Sequence, residues 1–154
     1  MSIYIFSKPI HSGKTTALLQ WSKHKNCAGI LMPDINGSKK FYDIETEKYF
    51  DAECNSDNAE NLTIIGKYRF DNKAFDKANA IIISALTKPV DYFIIDEIGK
   101  VELSKRGFYP ALITLLQTQQ QLQFNVNILL VVRDSLLQEV VNFFSIEKFK
   151  DFII

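Results

Sequence analysis

Short apolar runs alternate along this chain with stretches whose apolar residues recur at helical spacing. The apolar runs lie at residues 3–6, 28–32, 92–95 and 126–132, with a short final one at 149–154. The amphipathic stretches lie at residues 14–25, 71–86, 107–123 and 134–144. Continuous apolar runs are typical of strands buried on both faces of a parallel sheet. The alternation therefore predicts an α/β fold, with a mostly parallel sheet flanked by helices.

Residues 39–53 depart from this rhythm and predict an inserted β-hairpin. Two short segments, 39–44 and 48–51, surround a tight turn at 45–47. Such a pair favours antiparallel strands. The polar residues 51–61 are expected to form a loop, and segments 62–65 and 68–70 could extend the sheet. Asp71 is placed as the N-cap of the helix that follows.

Composition and charge limit the classes of protein to which this chain can belong. Its 154 residues are 47% hydrophobic and carry no Pro/Gly-rich linker, which predicts a single domain over residues 1–154. The formal net charge is zero, so nucleic acid is an unlikely partner and no basic patch suggests an anionic membrane surface. No apolar stretch approaches the roughly 20 residues of a membrane-spanning helix, and the first apolar run is too short for a signal peptide. A cytoplasmic protein is expected.

The cysteines and histidines do not predict a metal or redox site. Cys27 and Cys54 stand far apart with no C-x-x-C partner, and His11 and His24 lie on different segments. This spacing is not that of zinc ligands. His11 is interpreted as a loop residue without a chemical role.

The segment after the first predicted strand has the character of a phosphate-binding loop. A triphosphate is densely anionic, and a loop that enters a helix N-terminus offers unpaired N–H donors and the positive end of the helix dipole. In the pattern G-x-x-x-x-G-K-[ST], Gly13 lets the backbone approach, Lys14 lies over the β- and γ-phosphates, and the Thr15 hydroxyl reaches the bridging metal. Thr16 can contact the α-phosphate. The nucleotide-binding residues are predicted to be Lys8, Pro9, Ile10, His11, Ser12, Gly13, Lys14, Thr15 and Thr16.

Lys8 stands where this pattern has its first glycine. A lysine at that position could add a second cation near the phosphates, or could point to solvent while the backbone keeps its usual shape. We favour the second interpretation.

Two adjacent acidic residues complete the predicted site. Asp96 and Glu97 follow the apolar run at residues 92–95. The carboxyl ends of parallel strands are where such sheets present chemical groups. Asp96 is therefore the expected Mg²⁺ ligand together with Thr15, and Glu97 the group that activates the attacking water.

The string Asp96-Glu97-Ile98-Gly99-Lys100-Val101-Glu102-Leu103 resembles the second phosphate-site motif of the THEP-type nucleoside-triphosphatases. The similarity extends to the segment G-K-T-T, to the tract at residues 66–70 and to the length of the chain. It implies a RecA-like P-loop fold and Mg²⁺-dependent removal of the terminal phosphate, with broad tolerance for the base. The substrate is then a nucleoside triphosphate such as ATP or GTP.

The resemblance also implies roles for individual residues. Lys14 and Thr15 would bind phosphate and metal, Asp96 would hold Mg²⁺ through water, and Glu97 would orient or deprotonate the attacking water. Lys100 and Glu102 belong to the same motif. Either a functional role or a salt-bridged structural turn is open for both.

The arginine content predicts slow turnover. An arginine finger contributes about 10³ to 10⁵ in rate in related chemistry. Only Arg69, Arg106 and Arg133 could supply one in cis. Arg133, just after the run at residues 126–132, is the preferred candidate, with a salt bridge or cap contact beside Asp134 as the alternative.

Two other functions are open at this stage. A nucleotide or small-molecule kinase also uses a P-loop, but kinases surround the transferred group with several arginines and a lid, which this chain lacks in sequence. A non-catalytic nucleotide-binding switch module is suggested by Lys8. The sequence does not identify a protein partner.

Overall fold

A mixed sheet with helices on both faces organises this chain, whose computed structural model describes residues 2–54, 61–121 and 126–154. The strands are β1 (Ile3–Lys8), β2 (Cys27–Leu31), β3 (Asp34–Ile35), β4 (Ser38–Asp43), β5 (Lys48–Asp51), β6 (Leu62–Ile65), β7 (Tyr68–Asp71), β8 (Tyr92–Ile98), β9 (Asn127–Arg133) and β10 (Lys150–Asp151). The helices are α1 (Lys14–Ser22), α2 (Asn72–Ala85), α3 (Lys100–Leu103), α4 (Tyr109–Gln121) and α5 (Leu137–Phe143). A 3₁₀ turn, Asp134–Leu136, leads into α5.

The strand order of the main sheet is β10-β1-β9-β8-β2-β4-β3, with β5 paired to β4. The pairs from β10 through β2 are all parallel, whereas β4 is antiparallel to β2. The predicted α/β class with a mostly parallel sheet is therefore confirmed. β9 lies between β1 and β8, so the two strands that carry the candidate chemistry flank a common neighbour.

Each face of the sheet carries its own apolar core. Neighbouring residues such as Ile5 and Phe6 point to opposite faces because side chains alternate along a strand. The face with Ile5 packs beneath α2, α4 and α5. The face with Phe6 packs beneath α1 through Leu18. Trp21 of α1 packs edge-on against Tyr92, with ring centroids 5.1 Å apart.

The inserted hairpin forms as predicted. β4 and β5 pair antiparallel, and Phe41 faces Phe50 across them with ring centroids 5.2 Å apart. The sequence did not predict β3, which continues the same antiparallel arrangement beside β4.

The expectation that segments 62–65 and 68–70 extend the main sheet is wrong. β6 and β7 pair with each other as a separate two-stranded sheet. The edge of β2 is already paired with β4, and β7 continues directly into α2, with the Asp71 carboxylate accepting from Lys73 N at 2.9 Å. That capping bond confirms the predicted start of α2.

Several predicted ends shift. α1 ends at Ser22 rather than at residue 25, and the final strand shortens to Lys150–Asp151. α4 begins at Tyr109, and residues 122–123 of the predicted helix lie outside the described residues. Among the helices of the described ranges, none has the length and apolar character needed to cross a bilayer.

Gly29 lies where the backbone of β8 leaves no room for a side chain on β2. Its φ is +128°, and a Cβ atom there would lie 2.0 Å from the carbonyl oxygen of Ile94 on β8. Only glycine tolerates both the dihedral angle and the contact. The β2–β8 pairing therefore depends on this residue.

Candidate functional site

The candidate site lies at the carboxyl edge of the parallel sheet. There, β1 continues through residues 9–13 into the N-terminus of α1. Gly13 caps that helix with φ +79°, a left-handed conformation that glycine adopts without strain. The N–H groups of the first helical turn have no intrahelical partner, so they are available to an anion at this end.

Lys14 lies folded back into the loop. Its ammonium donates to the carbonyl oxygens of Lys8 at 3.1 Å and Pro9 at 2.8 Å, and to Ser12 Oγ at 3.4 Å. Partial burial lowers the pKa of Lys14, and the carboxylates of Asp96 and Glu97 act in the opposite direction. The loop thus surrounds a cation that faces the acidic pair.

The other loop residues that the sequence singled out are exposed. Lys8, Pro9, Ile10, His11, Ser12 and Thr16 all belong to this exposed set. The Lys8 ammonium lies 5.0 Å from the centroid of the Phe6 ring. The backbone carbonyl oxygen of Lys8 accepts a hydrogen bond from the Lys14 ammonium. The backbone at this position therefore contributes to the loop although the side chain lies along the strand.

The decisive contact joins two residues 81 positions apart. Thr15 Oγ1 donates to Asp96 Oδ2 at 2.7 Å. Asp96 is fully buried and its carboxylate also accepts from Met32 N at 3.0 Å and Glu97 N at 2.8 Å. These bonds fix the carboxylate opposite the first turn of α1. A hydroxyl and a carboxylate oxygen at this separation are hard ligands of the kind that Mg²⁺ binds.

A β-bulge places Glu97 beside Asp96. On β8 the register passes from Ile95 to Ile98 while β9 advances only from Leu130 to Val132, so β8 contains one extra residue. Glu97 adopts φ +54°, in the left-handed region. Bulges re-aim side chains and are frequent beside active sites. Here the bulge turns the Glu97 side chain, 39% exposed, toward the open edge of the sheet.

The structure adds Lys39, a residue that the sequence did not single out. Its ammonium forms an ion pair with Glu97 Oε1 and donates to the Met32 carbonyl oxygen at 3.3 Å. Burial would lower the pKa of Lys39, but the Glu97 and Asp96 carboxylates raise it overall, so the ammonium is charged at neutral pH. For Glu97, partial burial and then the Asp96 charge raise the pKa, and Lys39 opposes that rise.

Glu102 is buried and braces the turn after β8. Its carboxylate accepts from Gly99 N at 2.9 Å and from Phe108 N at 3.0 Å. Burial raises the pKa of Glu102 to about 7, although these N–H groups act to lower it. The contacts give Glu102 a structural position, whereas Lys100 is exposed on α3.

The arginines differ in their surroundings. Arg106 Nη2 donates to Thr63 Oγ1 at 2.7 Å and to the Leu62 carbonyl oxygen at 3.3 Å, so it holds β6. Arg133 is exposed at the end of β9, where its Cα is in register with that of Lys8. Arg133 therefore lies at the same sheet edge as the loop and the acidic pair.

With this geometry established, known proteins offer a comparison. The family described as NTPase matches residues 3–150. This chain belongs to that NTPase family. The THEP-type resemblance inferred from the motif at residues 96–103 is thereby confirmed, and the family membership supports hydrolysis of nucleoside triphosphates in general.

Two solved structures share the fold of this NTPase family member. THEP1 from the hyperthermophile Aquifex aeolicus is 21% identical, with a TM-score of 0.69, and the match covers 94% of this chain and 83% of THEP1. A human cancer-related nucleoside triphosphatase is 19% identical, with a TM-score of 0.64, and the match covers 99% of this chain and 88% of that protein. At these identities the similarity shows the fold alone. No curated protein sequence matches this chain significantly.

The assembled site contains a cation in a loop, a hydroxyl next to a carboxylate, and a second carboxylate on a bulge. Lys14, Thr15, Asp96 and Glu97 come together as the sequence predicted. Lys39 was missed at the level of sequence because this lysine belongs to no recognisable motif and lies in a hairpin whose polar residues suggest a solvent-exposed position. The one available signal was the Asn36-Gly37 turn, which brings the next residues back along the sheet edge.

Proposed function

We propose that this chain hydrolyses nucleoside triphosphates to the diphosphate and phosphate, in a Mg²⁺-dependent reaction at the carboxyl edge of β1 and β8. The observation that carries the proposal is the 2.7 Å bond between Thr15 Oγ1 and Asp96 Oδ2. It brings the phosphate loop and the acidic pair to one place. Neither element alone would be sufficient for phosphoryl transfer.

The residues present fit Mg²⁺. Within the described residues no group of three His, Cys, Asp or Glu side chains comes together as a metal site, so the protein would supply few direct ligands. Mg²⁺ suits such a site because it keeps several waters and is shared with substrate phosphates. Thr15 and Asp96 would hold it, and it would then neutralise charge on the β- and γ-phosphate oxygens.

Lys14 would exchange its bonds to the Lys8 and Pro9 carbonyl oxygens for phosphate oxygens, which are charged acceptors and therefore stronger partners. The backbone N–H groups at the start of α1 would hold the same phosphates. These contacts position the triphosphate without reading the base. Broad base tolerance is supported by the family resemblance.

Glu97 would act as the base. Its carboxylate orients a water and takes a proton from it as the water oxygen bonds to the γ-phosphorus. The bond from that phosphorus to the bridging oxygen then breaks, and the electron pair leaves on the diphosphate. A positioned general base contributes typically 10²- to 10⁴-fold in rate.

Slow turnover is part of the proposal. Arg106 is engaged with β6, Arg69 lies on β7, and Arg133 is exposed at the end of β9, close enough for its charge to act on Lys14 and Glu97. An exposed arginine is not held in place, so we expect the isolated chain to lack most of the about 10³- to 10⁵-fold that a fixed finger supplies. A turnover of hundreds per second would contradict this part.

The test is phosphate release from ATP, GTP, CTP, UTP and their deoxy forms, with Mg²⁺ or with EDTA. Lys14→Ala is the inactive reference, and Lys23→Ala, at the exposed end of α1, is the matched control. We expect release that requires both Mg²⁺ and Lys14. Release that survives EDTA and Lys14→Ala would refute the assignment.

Glu97→Gln separates hydrolysis from other uses of the site. We expect this variant to bind nucleotide and to lose phosphate release. Unchanged release would show that Glu97 is not the base. In the wild-type protein, transfer of phosphate to an added small-molecule acceptor would indicate a kinase, and nucleotide binding without any phosphate release would indicate a switch module.

A further inference from the structure

The inserted hairpin delivers a partly buried cation to the candidate base. Lys39 lies on β4, and only 11% of its side chain is exposed, against 39% for Glu97. A buried lysine usually turns its ammonium to solvent, because desolvating the charge is costly. This one instead places its ammonium on Glu97 Oε1, with the Met32 carbonyl oxygen as second acceptor at 3.3 Å.

The hairpin itself is held in place around Lys39. The Lys39 backbone N–H donates to Glu53 Oε2 at 2.7 Å, and the Ser38 hydroxyl donates to the same oxygen at 3.1 Å. The ring of Tyr68, from the separate β6–β7 sheet, lies 5.7 Å from the Lys39 ammonium. Three chain segments therefore converge to fix where this cation lies.

Glu97 needs such a partner because its own backbone does not define the direction of its carboxylate. It lies on a one-residue bulge, and its side chain has several rotatable bonds. A general base must remain within about 3 Å of the water it deprotonates. A rigid cation bonded to one carboxylate oxygen leaves the second oxygen, Oε2, to accept from water.

We propose that Lys39 is a positioning residue for hydrolysis, holding the Glu97 carboxylate in the orientation in which it accepts a proton from the attacking water. This inference rests on the proposed function. Lys39 acts through Glu97 and does not contact the nucleotide. Through Lys39, the inserted hairpin contributes a residue to the candidate site.

The experiment compares Lys39→Met and Lys39→Arg with Lys40→Met in steady-state phosphate release from Mg·ATP. Lys40 is the neighbour on the same strand, and its ion pair is with Asp51, away from the acidic pair. Methionine keeps the apolar length of the lysine stem without the charge. Nucleotide affinity is measured separately by titration with a fluorescent ATP analogue.

We expect Lys39→Met to lower kcat about 10- to 100-fold, a part of what a positioned base supplies. KM and the affinity for the analogue should stay within about threefold, because binding does not use Lys39. Lys39→Arg should recover most of kcat, since it restores a cation that can reach Glu97. Lys40→Met should leave both parameters near the wild-type values.

The double variant Lys39→Met with Glu97→Gln provides the sharpest readout. If Lys39 acts only through Glu97, the double variant has the same kcat as Glu97→Gln alone, because residues that work as a unit are not additive. A further tenfold loss in the double variant would overturn the inference. So would a Lys39→Met enzyme with raised KM and normal kcat, which would make Lys39 a phosphate ligand.

The experiments distinguish failure of the positioning role of Lys39 from failure of the proposed hydrolysis with Glu97 as base. If Glu97→Gln abolishes release while Lys39→Met is as active as wild type, only the positioning role is refuted. If Glu97→Gln itself remains fully active, both the assigned base and the role of Lys39 are refuted. Loss of activity in Lys39→Met that Lys39→Arg does not recover would also count against the positioning role.

Discussion

Glu102 should make the stability of this protein depend on pH near neutrality. It is 2% exposed, and burial raises its pKa to about 7 from an ordinary value of 4.5. Because the folded-state value is the higher one, the native protein binds the extra proton between these two pH values. Stability from this group is therefore present at low pH and is lost as pH rises from 4.5 through 7.

The size of the effect follows from the shift in pKa. One unit corresponds to 1.36 kcal/mol, so the full difference is about 3 kcal/mol, of which about 2.5 kcal/mol falls between pH 5 and pH 8. Glu102→Gln removes the titration. It also replaces one acceptor of the Gly99 and Phe108 N–H groups by a donor, which costs about 1–3 kcal/mol at every pH.

The measurement is the free energy of unfolding from urea titrations at pH 5 and pH 8. We expect the wild type to exceed Glu102→Gln in stability by about 2.5 kcal/mol more at pH 5 than at pH 8. Glu147→Gln, at an exposed position, is the control and should follow the wild type at both values. A wild-type advantage that is equal at pH 5 and pH 8, or larger at pH 8, would refute the reasoning.

Three further predictions test the packing of the sheet and its helices. Gly29→Ala should lower the free energy of unfolding by more than about 3 kcal/mol, because its Cβ would meet the Ile94 carbonyl oxygen at 2.0 Å. Gly66→Ala meets nothing within 4 Å and should cost only the strain of its left-handed backbone, about 1–2 kcal/mol. Asn79→Ala should cost about 2–4 kcal/mol in denaturant unfolding, because the Asn79 side-chain amide links α2 to the start of α4 and its removal leaves buried backbone groups unpaired. A loss below about 0.5 kcal/mol, on the order of a surface substitution, would contradict this. Cys27 is 7% exposed with its pKa raised to about 11 by burial, so mass spectrometry should find its peptide unmodified by thiol reagents until the chain unfolds; rapid labelling in the native protein would contradict this.

The centre of the site could be predicted because its parts carry local signals. A strand, a glycine turn and a helix start around Gly13 define the loop, and an apolar run ending in Asp96 defines the facing strand. Parallel strands share one carboxyl edge, so the fold class alone brings these ends together. The 2.7 Å contact of Thr15 with Asp96 follows from that rule.

Other features could not be predicted because they depend on tertiary pairing. β6 and β7 have ordinary strand character, and nothing in their residues distinguishes a separate two-stranded sheet from an extension of the main one. The pairing of Lys39 with Glu97 depends on how the inserted hairpin folds over the sheet edge. The bulge on β8 is equally invisible, since it appears only as a slip in register against β9.

The position of β9 has a consequence for how this protein is made. The only neighbours of β1 in the main sheet of the described chain are β9 and β10, both formed after residue 126. On the ribosome, β1 must therefore wait until residues 127–151 have been made before it gains these hydrogen-bonded partners. Until then the unpaired edges of β1 are exposed to pairing with other nascent chains. Nucleotide can assist folding only after residue 133 has been made, because β9 joins the two strands that form the site.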